Sequence, residues 1–198
     1  ICCFFPPDPP KNTSVSVSPS DSVLEGSSVT LTCSSNANPV GTYAWYRVIG
    51  DQVTSIGHGN KHQTQVYTDH RQFYCGATND HGTKNSSVIE LDVLYPPKNT
   101  SVSVSPSGSV LEGSSVTLTC SSNANPAVKN YTWYRVNGDH VTQIANEREL
   151  KTEASIDNHQ FYCEARNDHG TKNSSIILLN VLCKYNITNI LEPQVITY

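Results

Sequence analysis

The sequence predicts an all-β protein made of two tandem β-sandwich domains, and three observations carry this prediction. The string PPKNTSVSVSPSDSVLEGSSVTLTCSSNANP at residues 9–39 recurs at residues 96–126 with one change, Asp21 to Gly108. Apolar and polar residues alternate through both copies, which is the period of a strand with one buried face. Each copy also carries two cysteines at matching places, so duplication of one folding unit explains most of the chain.

Strand signals follow one another in order along each copy. Val29, Leu31 and Cys33 alternate with threonines, and two later runs repeat this pattern before each copy ends. Turn signals separate the runs at Glu25-Gly26, Asn38-Pro39, Ile49-Gly50-Asp51 and Asp80-His81-Gly82. The residues predicted to face the interior are Val29, Leu31, Cys33, Phe73, Cys75, Ala77, Ile89, Leu91 and Val93, with Val116, Leu118, Cys120, Phe161, Cys163, Ala165, Ile177, Leu179 and Val181 in the second copy.

The composition argues against nucleic acid as a partner. The 198 residues carry a formal net charge of -4, and the 13 Lys and Arg residues are scattered without a basic run. This charge balance favours neither a polyanion nor an anionic membrane surface. No apolar stretch approaches the ~20 residues that cross a bilayer, and the chain contains no Met. We therefore expect a segment of a longer protein, with any membrane anchor outside these residues.

The cysteines indicate an oxidising compartment. Cys33 and Cys75 correspond to Cys120 and Cys163, and a bond within each pair would close a loop worth roughly 4 kcal/mol. A metal site needs short paired spacings such as C-x-x-C, which the sequence lacks, so we expect no metal. Cys2, Cys3 and Cys183 stay unassigned between an intermolecular bridge, pairing with missing sequence and an effect of truncation.

Acceptors for asparagine-linked glycosylation indicate the same compartment. The tripeptide Asn-x-Ser/Thr without an intervening Pro recurs along the chain, and the alternative at any one site is an unmodified surface asparagine. We predict an extracellular location, with glycosylation at Asn12, Asn85, Asn99, Asn130, Asn173 and Asn186.

These residues resemble the immunoglobulin fold of the C2 set. Trp45 follows Cys33 and Trp133 follows Cys120, and each second cysteine ends the pattern D-x-x-x-F-Y-C. The resemblance implies that each tryptophan packs on a disulfide between two sheets, with Phe73 and Phe161 in the core. It also implies that the short segment between the paired cysteines has no room for the C′ and C″ strands of a variable domain.

One departure from the family concerns the residue two before the second cysteine. The family usually has Tyr there, whereas this chain has Phe73 and Phe161. Phenylalanine keeps the buried ring but loses a hydrogen bond worth about 0.5–1.5 kcal/mol, so we expect somewhat less stable domains of the same fold.

The predicted organisation is one domain at residues 9–95, a second at 96–182 and a C-terminal tail at 183–198. Leu94-Tyr95-Pro96-Pro97-Lys98 joins the copies without a Gly/Ser stretch, and consecutive prolines favour an extended, semi-rigid connection. We therefore expect an elongated rod.

The amino-acid sequence of the repeats is similar to that of the C2 domains of siglec-group receptors. The similarity lies in PPKNTSVSVSPS, EGSSVTLTCSSNANP, YTWYRVNG and FYCEARNDHGT. It implies a stalk role within a single-pass surface receptor, in which these domains hold a distal recognition domain away from the membrane. Neighbouring immunoglobulin domains of the same receptor would then be partners.

Candidate sites within the copies are weak. The sequence has no G-x-S-x-G, Walker, H-E-x-x-H or G-x-G-x-x-G motif, so we expect no enzyme, no catalytic residue and no cofactor. All seven histidines are predicted to be exposed. Leu91-Asp92-Val93 is predicted to be an ordinary strand, and Arg166 a solvated side chain. The copies differ mainly across residues 40–70 and 127–158, the C-to-E loops. An alternative function is therefore an adhesion module that contacts a cell-surface protein or glycan there.

Overall fold

The computed structural model describes residues 6–183, and every regular element in this range is a β-strand. The chain divides between Tyr95 and Pro96 into two compact units, called unit 1 and unit 2 here. Both units repeat one pattern of short strands joined by tight turns, as the duplicated sequence requires.

Unit 1 consists of two sheets that enclose its core. The first sheet has the order β1-β3-β6, and the second has the order β5-β4-β7-β8 with β9 also paired to β7. The short strand β2 runs parallel to the start of β10, with Val23 opposite Val93. The strands are β1 (Asp8–Ser18), β2 (Ser22–Leu24), β3 (Ser28–Asn38), β4 (Thr42–Ile49), β5 (Gln52–His58), β6 (Lys61–Gln65), β7 (Gln72–Asn79), β8 (Gly82–Asn85), β9 (Ile89–Glu90) and β10 (Asp92–Ser105).

Unit 2 has the same arrangement, with the later part of β10 as its first strand. Strand β10 pairs with β12, which pairs with β15, and the second sheet has the order β14-β13-β16-β17 with β18 beside β16. The remaining short strands pair in parallel, with Val110 opposite Val181. The strands are β11 (Val110–Leu111), β12 (Ser115–Asn125), β13 (Asn130–Asn137), β14 (His140–Ala145), β15 (Glu149–Glu153), β16 (Gln160–Asn167), β17 (Gly170–Asn173), β18 (Ile177–Leu178) and β19 (Val181–Leu182).

A disulfide and a tryptophan lie at the centre of each core. Cys33 is bonded to Cys75 and Cys120 to Cys163, each with a Cα–Cα distance of 6.2 Å. Because Trp45 is opposite Cys75 in the sheet register, its indole lies beside the disulfide, and its Nε1 donates to the carbonyl of Gly59 at 2.9 Å. The tryptophan side chains, Phe73 and Phe161 have at most 1% of their surface exposed. Apolar burial is the main source of stability in such units.

The structure corrects the prediction that a C′ strand is absent. Strand β5 runs antiparallel to β4 at the sheet edge, with Val48 opposite Val53, and β14 lies beside β13 in the same way. The reason is the tight turn at Gly50, whose φ of 56° folds the chain directly back along β4. In each described unit the chain passes directly from this hairpin to the next strand, β6 in unit 1 and β15 in unit 2. The segment between the paired cysteines is therefore short because it lacks a further strand beside β6 or β15.

The prediction that all histidines are exposed is wrong for His62. His62 is half-buried opposite Leu31, at the place where unit 2 has Leu150 opposite Leu118. Its ring lies 6.1 Å from Trp45 between centroids, at 28° between planes. The sequence-based interpretation failed because the repeat carries a leucine at this inward position and only the pairing register aligns the two residues. His70, His159 and His169 are also half-buried.

Acidification is expected to destabilise unit 1 through His62. Burial lowers the pKa of His62 below its usual value of 6.5, so the folded unit favours the neutral ring. This contribution is fully present above the unfolded pKa and is lost as the pH falls through 6.5 toward the folded pKa. We expect His62→Leu to reduce the loss of stability between pH 7.5 and 5.5, measured by urea unfolding. Leu150→His is the matched change in unit 2 and is expected to introduce the same loss. An unchanged pH dependence in both variants would contradict this account.

Gly41 marks a close approach between the start of β4 and β7. A Cβ atom built there would lie 2.0 Å from the carbonyl oxygen of Thr78, so the two strands would have to separate. We expect Gly41→Ala to lower the free energy of unfolding by about 1–3 kcal/mol, measured by urea unfolding of the full chain. Lys129 occupies the corresponding place in unit 2, and Lys129→Ala should leave unfolding nearly unchanged. Equal effects of the two substitutions would refute the steric explanation.

Candidate functional site

A pair of stacked tyrosines occupies the outer face of the second sheet in unit 1. Tyr46 on β4 lies directly opposite Tyr74 on β7, and their rings stack with centroids 4.8 Å apart and planes 14° apart. Their neighbours Trp45 and Phe73 face the core, so alternation along each strand directs both tyrosines outward. Both rings remain half-buried. Cross-strand aromatic pairs of this kind stabilise a sheet surface.

Unit 2 repeats the tyrosine pair with nearly identical geometry. Tyr134 on β13 lies opposite Tyr162 on β16, with ring centroids 4.8 Å apart and planes 13° apart. Burial, together with the negative charge of Glu164 and the neighbouring Tyr162, raises the pKa of Tyr134 above its usual value of 10. The outer faces carrying these pairs are called the tyrosine faces here. Each consists of a tyrosine pair and the two residues beside it: Tyr46, Tyr74, Gly76 and Asn85, or Tyr134, Tyr162, Glu164 and Asn173.

The two tyrosine faces differ at one position. Gly76 is opposite Asn85 in the register of unit 1, whereas Glu164 is opposite Asn173 in unit 2. A Cβ on Gly76 would lie 2.8 Å from Oδ1 of Asn85 and 3.6 Å from Cε2 of Tyr46. The asparagine amide therefore takes the place that a side chain at residue 76 would need, and Gly76 is buried beside it and the tyrosine ring edge. A charged side chain stands at the equivalent place in unit 2.

The predicted glycosylation acceptors lie on exposed positions where the structure describes them. Asn12 and Asn99 have φ values of 53° and 52° at matching places in the first strand of each unit. Asn85 and Asn173 end β8 and β17 beside the tyrosine pairs, and Asn130 begins β13. All of these side chains are exposed. Asn186 lies outside the described residues, as do Cys2 and Cys3, whereas Cys183 has an exposed free thiol.

The recurring Asn-Asp-His-Gly turn is held by hydrogen bonds of its asparagine side chain, which sequence reasoning missed. The Asn79 side chain donates to the carbonyls of Asp8 and Pro39 at 2.9 and 3.1 Å and accepts from the amide of His81 at 2.9 Å. In unit 2, the Asn167 side chain is buried and donates to the carbonyl of Pro126 at 3.0 Å. The repetition of Asn at the same place in both turns was the sequence signal that could have indicated these hydrogen bonds. His81 and His169 each lie two residues after this asparagine. Their recurrence is therefore explained by the turn and does not require a functional site.

Arg166 and the residues around it form a charged end of unit 2. Arg166 is exposed and pairs with Asn130 in the sheet. Lys129 forms an exposed ion pair with Asp168, with Nζ and Oδ1 2.6 Å apart. The hydrogen bond from Lys129 lowers the pKa of Asp168 below its usual value. The charges at this end of unit 2 are therefore balanced by ion pairing and by solvent.

The Leu91-Asp92-Val93 motif lies within the fold as an ordinary strand. Leu91 and Val93 have 1% of their surface exposed. The Asp92 carboxylate accepts a hydrogen bond from Ser22 Oγ at 2.8 Å, which joins β10 to β2. The motif therefore contributes to packing and strand pairing.

The segments in which the copies differ include the edge strands of the second sheets, β5 and β14. Residues 49–68 include the hairpin end at Ile49 and strand β5, and Val53 on it is 54% exposed. Residues 137–156 include strand β14, on which Val141 is 53% exposed. Isolated exposed valines are ordinary on a protein surface. The hairpins nevertheless present different side chains on the same scaffold.

Residues 6–183 hold no group of three or more His, Cys, Asp or Glu side chains arranged to bind a metal ion. Within the same residues, no helix has the length and apolar character needed to cross a membrane.

One protein family matches both units of the chain. The family described as the immunoglobulin domain matches the chain twice, over residues 10–93 and 97–181. The chain belongs to the immunoglobulin-domain family. Its predicted fold class, all-β with two immunoglobulin-like domains, is confirmed by this match and by the two-sheet architecture.

Curated relatives with immunoglobulin domains are considerably longer than this chain. The B-cell receptor CD22 of Mus musculus is 29% identical over 166 residues, which covers 83% of this chain and 19% of that protein. The vascular cell adhesion protein 1 of Homo sapiens is 28% identical over 196 residues, covering 94% of this chain and 26% of that protein. The chain thus spans about a fifth to a quarter of these two relatives.

A solved structure shows the same fold. The Sidekick-1 immunoglobulin domains 1-4 superpose with a TM-score of 0.54 at 18% sequence identity, over 88% of this chain and 49% of that chain. At this identity the similarity concerns the immunoglobulin fold alone.

Proposed function

We propose that these immunoglobulin domains are an extracellular segment of a cell-surface receptor of the siglec type, in which they act as a glycosylated spacer. The observation that carries the proposal is the succession of two near-copies of one disulfide-bonded domain without a Gly/Ser linker. A spacer needs repeated rigid units and no unique site. The relatives named as a B-cell receptor and a vascular adhesion protein support the receptor context.

The chemistry of the surface supports an extracellular setting. Disulfides persist in oxidising compartments, and both lie deep in the cores of the two units. Five of the predicted glycosylation acceptors, Asn12, Asn85, Asn99, Asn130 and Asn173, are exposed. In this proposal the domains hold a distal recognition domain on the outer side of the plasma membrane and take no part in catalysis.

A second candidate is an adhesion module that contacts a protein or glycan through its edge hairpins. The observation that favours it is the difference between residues 49–68 and 137–156 on otherwise similar domains, with Val53 and Val141 exposed.

One binding experiment separates the two candidates. The full chain is expressed as a secreted protein and presented as a multimer. It is then titrated onto cells from the organism that encodes the protein. The spacer proposal predicts no saturable binding by these two domains alone. Saturable binding that is lost when residues 49–68 and 137–156 are exchanged would instead establish the adhesion module. Exchange of the matching strings 9–39 and 96–126 is the control, because it alters only Asp21 and Gly108.

A further inference from the structure

We propose that Asn137 is a site of spontaneous deamidation in unit 2 and that its hydrogen bond to Asn158 restrains the reaction. Asn137-Gly138 is the single Asn-Gly dipeptide among the 198 residues. Asparagine is a chemically labile side chain, and a following glycine leaves its own peptide nitrogen unshielded because it has no Cβ. Such a change needs only water, so it does not depend on the proposed spacer role.

The dipeptide lies at the tip of the β13–β14 hairpin. Asn137 ends β13 and pairs with His140, so Gly138 and Asp139 form a two-residue loop. All four residues are exposed. Gly138 has a φ of 55°, and a Cβ built on it would have no heavy atom within 4 Å apart from those of its chain neighbours. Water therefore reaches the peptide bond that follows Asn137.

The peptide nitrogen of Gly138 is the group that would attack the asparagine. In a two-residue loop the closing residues make the ladder hydrogen bonds, and these residues are Asn137 and His140. The strand ladder therefore does not require the N–H of Gly138. This nitrogen can give its proton to water and approach the side-chain carbonyl when the asparagine side chain turns toward it.

The reaction balances with water and ammonia alone. The nitrogen of Gly138 bonds to Cγ of Asn137, the bond from Cγ to Nδ2 breaks, and the leaving nitrogen takes up a proton and departs as ammonia. A cyclic imide remains. Water opens this ring at one carbonyl to give aspartate, or at the other to give isoaspartate, in which the main chain runs through the former side chain.

Asn158 restrains the side chain that has to turn. Nδ2 of Asn137 donates to Oδ1 of Asn158 at 3.0 Å, which joins the hairpin to the loop before β16. A side chain held by this bond loses part of the rotational freedom that the attack requires. Because the bond is exposed and water competes for both partners, its net strength is modest. The contact therefore slows the reaction without preventing it.

Deamidation would change the structure at this end of unit 2. Aspartate at position 137 has no N–H to donate to Asn158, and it adds a negative charge two residues before Asp139. Isoaspartate lengthens the main chain at the residue that pairs with His140, which disturbs the register between β13 and β14. We therefore expect the edge strand β14 to lose protection from hydrogen exchange in the converted chain.

Unit 1 has the same turn without the reactive side chain. Ile49 ends β4 and pairs with Gln52 across Gly50, whose φ is 56°. Isoleucine has no amide, so no imide can form at this turn. We therefore expect Ile49→Asn to introduce deamidation in unit 1, and Asn137→Ile to remove it from unit 2 while keeping a residue that the turn accommodates.

Incubation of the full chain in neutral buffer at body temperature tests the proposal. Peptide mass spectrometry follows the conversion of each asparagine over time. We expect aspartate and isoaspartate to accumulate at position 137, while the exposed Asn60 and Asn146 stay unconverted over the same period. Asn158→Ala should raise the rate at Asn137 by about 2- to 10-fold, which corresponds to the loss of one such hydrogen bond.

Each result supports or overturns a stated part of the proposal. An Asn137 that converts no faster than Asn60 and Asn146 would overturn the site. An equal rate of conversion in Asn158→Ala and in the unsubstituted chain would overturn the restraint. Hydrogen exchange of the converted chain completes the test, with β5 of unit 1 as the matched control. Unchanged protection of β14 after conversion would overturn the predicted effect on the hairpin.

Discussion

Trp45→Ala is expected to lower the free energy of unfolding of unit 1 by about 3–5 kcal/mol. The indole is fully buried beside the Cys33–Cys75 disulfide, so its loss leaves a cavity between the sheets. The substitution also leaves the carbonyl of Gly59 without its indole hydrogen bond. Since small domains are marginally stable, this change removes a large share of the total.

Hydrogen exchange of the full chain measures this effect in each unit separately. Amides of β3, β4 and β7 are expected to lose protection in Trp45→Ala, with those of unit 2 unchanged. Trp133→Ala is the matched variant, because Nε1 of Trp133 donates to the backbone carbonyl of Glu147 at 2.9 Å in the same arrangement. Trp45→Phe is a milder control that keeps an aromatic ring in the core. Full retention of protection in both alanine variants would contradict the packing described here.

Loss of the disulfide is expected to have an effect of comparable size. The Cys33–Cys75 bond spans a sequence separation of 42 residues, and that of Cys120–Cys163 spans 43. Constraint of the unfolded chain by such loops is worth about 4 kcal/mol in the loop-entropy account. We expect the double substitution Cys33→Ala and Cys75→Ala to lower the free energy of unfolding of unit 1 by that amount.

The two tryptophans make this measurement specific. The chain has 2 Trp residues, and each unit holds one in its core, so fluorescence during urea unfolding reports both transitions. Substitution of Cys120 and Cys163 is the matched change in unit 2. Each double substitution should move only the transition of its own unit. Unchanged midpoints in both variants would show that the bonds contribute little to stability.

Much of the fold was predictable because the duplicated strands alternate strictly. The inward residues of β3 and β7, such as Leu31 and Phe73, follow from their spacing, and the structure buries both. The edge strand β5 was missed because it has few buried apolar residues, with Gln52 to Ser55 all exposed. Its place in the sheet depends on the turn at Gly50 and on pairing with β4, which hydrophobic pattern alone does not encode.

The tyrosine faces were less accessible to sequence reasoning. Tyr46 and Tyr74 lie far apart in the sequence, and only the register places them in contact. The difference between Gly76 and Glu164 at one position of these faces likewise becomes evident only from the residues opposite them. His62 was misassigned for the same reason, since its counterpart Leu150 becomes evident only from the β3 and β12 pairings. Local pattern predicts strands, whereas these features arise from pairing between strands.

Peptide mapping without reduction, on chain secreted from animal cells, tests the central claim most directly. The account predicts covalent peptides joining Cys33 to Cys75 and Cys120 to Cys163, together with glycan on exposed asparagines including Asn85. Free thiols at all four cysteines and unmodified asparagines throughout would contradict an extracellular pair of disulfide-bonded immunoglobulin domains.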